Sequence, residues 1–336
     1  MGAFDLFFNN LSEFSRCSKN DIVIFSKLGA RRNLYDYKFK DREKSENLKK
    51  ISYLVKKYID KNNFHILEGR KLSEKEIDFL CEHFLIAKNE NSDFKNSFFL
   101  IKKDGNFMAA TNLSEHIELF ELFNGVDFLD RYKYIDNFLK KIKTKYAYLD
   151  DFGFLMSDPL KSGYGFYLLS ILHLPALRIS NKIEALKLEL KSFNLQLDTL
   201  NESKAPLSMD FYSLYREINV GDFKKIMEIY GMVLSTISNK EIQERSSLLN
   251  NSKIELEDKI FRALGVIRFS RLIGQFEAME NISLLKFGLD LGYKLDCDYN
   301  HISKAFFMAR DYYLKILDDN RNINFLRASI LRNIFN

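Results

Sequence analysis

Hydrophobic and polar positions alternate with different periods along the chain, and each period predicts an element. Three short apolar segments rich in β-branched and aromatic residues predict strands: 21–25, 97–101 and 106–110. Asp104-Gly105 joins the last two segments as a hairpin turn. Apolar residues at helical spacing predict four helices: 45–60, 73–85, 128–145 and 183–193. Residues 195–199 alternate as a half-buried strand, and the chain is helical from Asp222 onward, with a polar hinge at 246–253.

The stretch Phe152–Leu177 has a pattern of its own. An apolar segment at 152–156 predicts a strand, a Pro/Gly turn follows at 157–165, and the apolar run from 166 predicts a buried helix closed by Pro175. A strand, a glycine-bearing loop and a helix can present backbone N–H groups to an anion. The spacing matches neither a Walker loop nor GxGxxG, so by itself it favours an ordinary connection.

Composition narrows the class of protein. The 336 residues suffice for one large domain or two ordinary ones, and 46% hydrophobic with 29% charged residues is typical of a soluble globular chain. The net charge of +5 comes from 51 basic and 46 acidic residues that are interspersed. Lysines and aromatics mix at 38–50 and 140–145, which could indicate nucleic-acid binding. Acids interrupt the first run and the second is short, so solvated helix faces are favoured.

The cysteines and the apolar runs bear on the cellular compartment of the protein. Cys17, Cys81 and Cys297 are few and far apart, which favours a reducing compartment and argues against a disulfide framework or a zinc cluster. Residues 1–10 lack the basic start of a signal peptide. The longest apolar run, 166–177, is too short to span a bilayer. We therefore expect a cytoplasmic protein with no membrane or nucleic-acid partner and no bound metal of its own.

Several residues of the Phe152–Leu177 stretch together resemble the signature loop of the protein-arginine kinases, which belong to the phosphagen (ATP:guanidino phosphotransferase) kinase superfamily: Gly153-Phe154-Leu155, Ser157, Pro159, Gly163, Gly165 and 173–177. The resemblance continues in order along nearly the whole chain. It implies an α+β fold with a central antiparallel sheet flanked by helices over 1–245. It also implies an all-helical C-terminal domain over 246–336 that pairs two subunits, and Mg-ATP as the nucleotide.

The resemblance also assigns a nucleotide site. The family has Ser-Ser-Arg-x-Arg-x-x-Arg-Asn after the first strand, and its first two arginines grip phosphates. A nucleotide-binding remnant is implied at the positions that keep a matching or related residue and at the family's two nucleotide-side histidines: Ser26, Lys27, Arg32, His83 and His116. The four remaining phosphate-arginine positions are replaced: Gly29, Glu118, Tyr167 and Asp198.

These replacements matter because phosphoryl transfer depends on neutralising phosphate charge. Five family arginines become one lysine, two acids and two uncharged residues, a net charge of −1 at the aligned positions. Loss of one transition-state arginine typically costs about 10³–10⁵ in rate. On the substrate side, the family's carboxylates and cysteine align with Leu113, Ser114, Ser203 and Asp158. No confident catalytic residue remains at these positions.

In the C-terminal region the family carries an Arg-Asp-x-x-Arg-Ala-x-x-Leu phosphoarginine site. Arg327-Ala328 and Leu331 match it, but Ile323-Asn324 stands in place of Arg-Asp. The resemblance therefore implies an impaired remnant of that site.

Two functions follow from the resemblance. The first is a catalytically degenerate homologue that acts through protein interaction or regulation, with a second copy, an active kinase or a protease–chaperone system as partner. The second is an active ATP-dependent guanidino kinase with a remodelled site that uses Lys27, Arg32, His83 and Asp158.

Overall fold

A computed structural model describes residues 19, 21–58, 63–87, 94–103, 105–202, 205–219 and 221–336. Over these residues the chain forms one large sheet with helices on both faces. Within the same ranges, no helix has the length and apolar character needed to cross a membrane.

The central sheet has eight strands, and every neighbouring pair is antiparallel. Its strands are β1 (Val23–Arg32), β2 (Phe64–Glu68), β3 (Phe98–Lys102), β4 (Phe107–Thr111), β5 (Ile117–Phe123), β8 (Phe166–His173), β9 (Gln196–Thr199) and β12 (Phe211–Ile218). They lie in the order β2-β3-β4-β5-β1-β8-β12-β9. Two short hairpins pair β6 (Tyr148–Leu149) with β7 (Gly153–Phe154), and β10 (Asn201–Glu202) with β11 (Ala205–Pro206).

The α-helices in the described part of the chain are α1 (Ser45–Lys57), α2 (Glu74–Glu82), α3 (Phe128–Lys141), α4 (Pro175–Ile179), α5 (Ile183–Lys191), α6 (Phe223–Asn251), α7 (Lys253–Phe269), α8 (Gln275–Asp290), α9 (Tyr299–Met308), α10 (Asp311–Leu317) and α11 (Ile323–Phe335). The sequence predicts a capping box at the start of α2, and Ser73 and Glu76 form it.

Each face of the sheet has its own hydrophobic core. One core joins the sheet to α1, α3, α5 and α6, and it includes Ile51, Ile135, Leu186 and Tyr230. The other core joins the opposite face to α2 and to the helices from α7 onward. The helical C-terminal region therefore packs directly on the sheet. The predicted division between 245 and 246 falls inside α6, which continues to Asn251, and it stays a prediction.

The structure corrects the interpretation of Phe166–Leu174. This run was expected to be a buried helix, but residues 166–173 form β8, a strand in the interior of the sheet between β1 and β12. A strand covered on both faces is apolar throughout, and periodicity does not separate such a strand from a buried helix. Pro175 instead begins the short helix α4. No α-helix therefore follows the glycine-bearing loop directly, and the loop lacks the helix N-terminus that the anion-binding alternative requires.

Candidate functional site

A group of polar side chains lies at the centre of the sheet, where β5, β1, β8 and β12 run side by side. Arg31 pairs with Glu118, Gly29 pairs with Tyr167, and Tyr167 pairs with Glu217. Directly paired residues of antiparallel strands point to the same face. Arg31, Glu118, Tyr167 and Glu217, with Tyr215 two positions before Glu217, are called the Arg31 cluster below.

Arg31 is held from three sides. Its Nη1 donates to both carboxylate oxygens of Glu217 at 2.9 and 3.1 Å, and its Nε lies 3.8 Å from Glu118 Oε1. Its guanidinium carbon lies 4.1 Å from the centre of the Tyr167 ring. All three charged side chains are only 13–14% exposed. Two carboxylates and an aromatic face are the partners that a buried guanidinium prefers.

The two carboxylates have further donors within the cluster. The Tyr167 hydroxyl donates to Glu118 Oε1 at 3.0 Å, and Ser114 Oγ donates to the other oxygen at 3.3 Å. The Tyr215 hydroxyl donates to Glu217. Burial, together with the neighbouring Glu118, raises the pKa of Tyr167 well above its ordinary value, so the hydroxyl stays protonated and donating.

Gly29 leaves space that the Tyr167 ring fills. A Cβ built on Gly29 would lie 2.0 Å from Cζ of Tyr167, far inside van der Waals contact. The ring is 3% exposed and lies where a side chain at position 29 would extend. A long side chain at position 29 and this position of the Tyr167 ring therefore exclude each other.

Lys27 is also engaged within the protein. Its Nζ donates to the carbonyl oxygen of Phe84 at 2.9 Å and lies 3.8 Å from the centre of the Phe120 ring. The side chain is 7% exposed, and burial lowers its pKa to about 8. The amine thus anchors the chain that follows α2 to β1.

Ser26 and Arg32 bond to backbone carbonyls. Ser26 Oγ donates to Gly125 O at 2.6 Å. Arg32 Nη1 donates to the carbonyl oxygens of Tyr164 and Gly165 at 3.1 and 3.2 Å. Both side chains are buried and join neighbouring segments, and their assignment to a nucleotide site stays a prediction.

His116 and the adjacent Glu115 hold loops around the sheet. His116 Nδ1 accepts from the Leu34 amide at 3.0 Å, and the other ring nitrogen lies 2.8 Å from Lys38 O. Glu115 is 2% exposed and accepts from the Ser157 amide at 3.0 Å and from the Asn33 side chain at 2.5 Å. A buried carboxylate of the protein itself therefore accepts an N–H of the glycine-bearing loop.

His83 is fully buried beside the C-terminal helices. Its ring centre lies 4.1 Å from that of Phe79 and 6.0 Å from that of Phe307 on α9. Burial, and then the charge of Arg310, lowers the pKa of His83 to about 3, so the ring is neutral. A nucleotide would have to displace these aromatic neighbours to reach it, and a role for His83 in nucleotide binding stays a prediction.

The substrate-side positions do not form a carboxylate pair in the described part of the chain. Leu113 is buried, Ser114 is exposed, and Ser203 lies outside the described residues. Asp158 accepts from the Leu160 amide at 3.1 Å and lies 3.6 Å from Lys161 Nζ. Asp198, at a position where the resemblance implies a phosphate arginine, is exposed on β9 and accepts from Gln196 at 2.7 Å.

Arg327 lies in the core of the helical region. Its Nε donates to Ala309 O at 2.6 Å, and its Nη1 donates to Ile273 O and to Asn324 Oδ1, both at 2.8 Å. Its Nη2 pairs with Asp311. Arg327 and Ala328 are 0% and 1% exposed, so this guanidinium organises helix ends, and its role in phosphoarginine binding stays a prediction.

Sequence reasoning missed Arg31 and Glu217. Neither stands at a position where the family supplies an arginine or a guanidinium-binding acid, so an inventory of motif positions passes over both. Only the strand register brings them together, because it pairs Arg31 with Glu118 and places Glu217 beside Tyr167. Counting Lys27 and Arg31 against Glu118 and Glu217, the charges that meet here cancel, whereas the aligned positions alone give −1.

Two family models match the chain. Residues 46–243 match the model described as ATP:guanido phosphotransferase, C-terminal catalytic domain. Residues 253–336 match the model described as protein-arginine kinase McsB C-terminal domain. The first match alone covers more than half of the chain.

Two curated relatives of the chain are protein-arginine kinases. The chain is 27% identical over 330 residues to a protein-arginine kinase of Clostridium botulinum, covering 95% of this chain and 96% of the relative. It is 28% identical over 284 residues to a protein-arginine kinase of Bacillus cereus, covering 82% of this chain and 80% of the relative.

Solved structures show the fold at lower identity. Lombricine kinase aligns with a TM-score of 0.57 at 13% identity, over 74% of this chain and 72% of that one. The duplicated taurocyamine kinase of Schistosoma mansoni, with bound transition-state analogue components, aligns with a TM-score of 0.55 at 16% identity. That alignment covers 70% of this chain and only 35% of the duplicated kinase. The antiparallel sheet with flanking helices is thus a phosphagen-kinase-like α+β fold.

Proposed function

Since the chain belongs to the protein-arginine kinase family of ATP:guanido phosphotransferases, we propose that it is a catalytically degenerate member that acts by binding other proteins. The observation that carries this proposal is the Arg31 cluster. Its one guanidinium is already bound by two carboxylates and an aromatic ring.

The cations at the cluster are not available to a triphosphate. A phosphoryl-transfer site needs cations whose donors are available to phosphate oxygens. Here Arg31 is bonded to Glu217 and lies beside Glu118, while Lys27 is bonded to a backbone carbonyl. An incoming phosphate would meet carboxylates at the position where the family has an arginine.

Opening the cluster for ATP would be costly. Moving Arg31 away leaves Glu118 and Glu217 buried without their cation, and breaking a buried ion pair typically costs about 3–5 kcal/mol. The Tyr167 ring would also have to leave the space over Gly29. The free energy of Mg-ATP binding would have to offset the broken ion pair and the displaced ring before any net affinity remained.

Calorimetry with Mg-ATP tests the proposal, with a protein-arginine kinase of Bacillus cereus as the positive control. We expect no heat of binding up to millimolar nucleotide, and no phosphoarginine on a model protein substrate. Micromolar binding together with phosphoarginine formation would overturn the proposal and establish the alternative, an active guanidino kinase with a remodelled site.

Partners of such a chain would be proteins. We infer a homodimer through the C-terminal helices, because α7 exposes a row of large apolar side chains. Ile254, Phe261 and Phe269 are 79%, 44% and 77% exposed, at intervals of seven and eight residues along one helix. Such a row on a soluble surface favours a protein contact. An active kinase or a protease–chaperone system is a further partner class under this proposal.

A further inference from the structure

The strand β2 lies at one end of the central sheet, and the function proposed above does not use it. It pairs with β3 on one side, and no strand of the described residues pairs with it on the other. The Arg31 cluster lies on β5, β1, β8 and β12, in the interior of the same sheet.

The hydrogen bonds to β3 show which backbone groups of β2 face outward. Asn63 O accepts from the Lys103 amide, and the Gly69 amide donates to Ser97 O, both at 2.9 Å. The groups of successive residues in an antiparallel ladder alternate between the two sides of a strand. The N–H and C=O groups of three residues therefore point away from β3, and within the described ranges nothing bonds to them on that side: Phe64, Ile66 and Glu68. These groups are called the β2 edge below.

The side chains of β2 are only half covered. Ile66 packs against one core and Leu67 against the other, yet both remain partly exposed, whereas every residue of β4 is buried. A further strand beside β2 would cover both side chains. An open strand edge with apolar side chains on both faces is the kind of surface to which an extended peptide adds.

Cations surround the β2 edge. Arg70 and Lys71 directly follow β2, with side chains 63% and 68% exposed, and Lys102 and Lys103 lie beside its start. The helix α1 runs close by, with Lys56 Nζ 5.1 Å from the centre of the Phe98 ring on β3. Residues 45–57, 63–71 and 94–103 together contain two glutamates against nine cations, called the basic rim below: Lys49, Lys50, Lys56, Lys57, Arg70, Lys71, Lys95, Lys102 and Lys103.

The basic rim discriminates between possible occupants of the β2 edge. A second copy of the chain would bring an identical rim against the first, and like charges would repel. A nucleic acid would meet the cations but has no backbone that pairs with a strand. An acidic extended peptide can do both, since its amides pair with the strand and its carboxylates meet the rim.

We propose that the β2 edge binds an extended segment of a partner protein with a short apolar centre and acidic residues at both ends. The segment adds to the sheet as a ninth strand, bonded to Phe64, Ile66 and Glu68. Its centre covers Ile66 and Leu67, and its acidic ends lie near the cations at both ends of β2. This inference deepens the proposed function and rests on that part of it in which the chain acts by binding proteins.

The first test measures affinity for the labelled peptide Glu-Glu-Val-Ile-Val-Glu-Glu, by fluorescence anisotropy at low salt. The same peptide with lysine in place of glutamate should bind at least about tenfold more weakly. So should the acidic peptide methylated on two consecutive central amides, because consecutive amides point to opposite edges and neither edge can then pair fully. Native affinity of the methylated peptide would show that no strand forms and would overturn the proposal.

A proline on the protein removes one donor of the β2 edge. The Ile66 amide points outward, so Ile66→Pro leaves the ladder to β3 its donors and should weaken peptide binding about tenfold. Thr199→Pro is the matched control at the opposite end of the sheet. The Leu200 amide donates to Phe211 O at 2.8 Å, so the preceding Thr199 amide points outward from β9. Thr199→Pro should keep the native affinity, and equal affinities of the two variants would contradict the proposal.

Exposed charges provide a second pair of variants that does not alter the backbone. Arg70→Gln/Lys71→Gln should weaken peptide binding several-fold and reduce its dependence on salt. The control Lys133→Gln/Arg321→Gln removes a lysine and an arginine whose side chains are 62% and 64% exposed elsewhere on the molecule. This control should bind as the native chain does. Equal weakening by both pairs would indicate a diffuse effect of net charge and would sink the proposal.

Two further measurements address the other occupants. Sedimentation of Ile66→Pro should give the same mass as the native chain, and a native dimer that this variant converts into a monomer would make a second copy the occupant. A short oligothymidylate should bind more weakly than the acidic peptide. An oligothymidylate that displaces the peptide with higher affinity would assign the basic rim to nucleic acid, and either of these contrary results overturns the proposal.

The two proposals fail separately. The peptide contains no arginine and the binding assay contains no nucleotide, so its result does not depend on catalysis. Phosphoarginine on a model protein substrate would overturn catalytic degeneracy and leave the β2 edge standing. Peptide affinity that is the same in the native chain, Ile66→Pro and Arg70→Gln/Lys71→Gln would overturn the β2 edge whatever the result with Mg-ATP.

Discussion

Tyr167 and Gly29 show how a single pair of residues can change what a site is able to bind. An arginine at 29 would point into the space that the tyrosine ring now fills, and the ring is fixed there by its hydrogen bond to Glu118. The ring in turn supports Arg31, which lies between both acids of the cluster. Each member of the cluster thus depends on another, so the cluster forms one structural unit.

Gly29→Ala should destabilise the protein by about 1–3 kcal/mol, the usual cost of overpacking a core. The added methyl would lie 2.0 Å from the Tyr167 ring, which is buried and cannot swing into solvent. Chemical denaturation of four proteins measures the effect: native, Gly29→Ala, Tyr167→Ala and the double variant. The methyl should cost much less in the Tyr167→Ala background, and an equal cost in both would show that the ring is not the obstacle.

Lys27 should make stability rise with pH. Its pKa is about 8 in the folded protein, against 10.5 for an unperturbed lysine. Between these values the unfolded chain binds more protons than the folded one, so the free energy of unfolding increases as pH rises through this window. Below pH 8 the full penalty, about 3 kcal/mol, is present.

The matched variant is Lys27→Met, which keeps the length of the side chain and removes the titration. From pH 7 to 9.5 the native protein should gain about 2 kcal/mol relative to Lys27→Met, in paired urea denaturations. A difference that stays constant across this range would mean that the amine is not desolvated as the structure shows.

At the scale of elements, the sequence predicts much of the fold but not its centre. The pairing of β3 with β4, the capped helix α2 and the helix α3 are confirmed, because each has a local signal. Asp104, in the predicted turn between β3 and β4, lies outside the described residues. The strand β8 was mistaken for a helix, because burial on both faces removes the alternation that identifies a strand. The Arg31 cluster was equally out of reach, since its members come from four strands whose register is a tertiary property.

One buried carboxylate fastens elements that the sequence does not connect. Glu241 on α6 accepts from the amides of Ala176 and Leu177 at the start of α4, at 3.0 and 2.9 Å. Arg245 donates to the same carboxylate at 3.0 Å and lies 3.1 Å from Asp290 on α8. The helix α6 is therefore tied to α4 by Glu241 and to α8 by Arg245, and these two side chains are bonded to each other.

Glu241→Gln should lower stability by about 3–5 kcal/mol, because it leaves Arg245 with only part of its buried counter-charge. Glu244→Gln, one turn on and paired with Lys182, removes a carboxylate that forms a surface salt bridge and should cost less than about 1 kcal/mol. Thermal unfolding separates the two variants, and equal losses would contradict the role assigned to Glu241.

At the scale of the whole molecule, the row of apolar residues on α7 is the place to test the proposed homodimer. We expect Phe261→Glu/Phe269→Glu to convert a dimer into a monomer, because each substitution places a charge in the proposed contact. Sedimentation at tens of micromolar measures the mass. The control is Phe152→Glu, between β6 and β7, which should leave the dimer intact. A native chain that sediments as a monomer would contradict the expectation.

The second core, which joins the sheet to α2 and the C-terminal helices, also bears on how the chain can be divided. Phe25, Phe120 and Phe211 lie on the sheet under those helices and are at most 1% exposed. A fragment that stopped at residue 245 would bare this aromatic surface to water, and aggregation is the ordinary fate of such a surface. The boundary drawn from the sequence therefore separates two family modules without marking a place where the molecule can be cut.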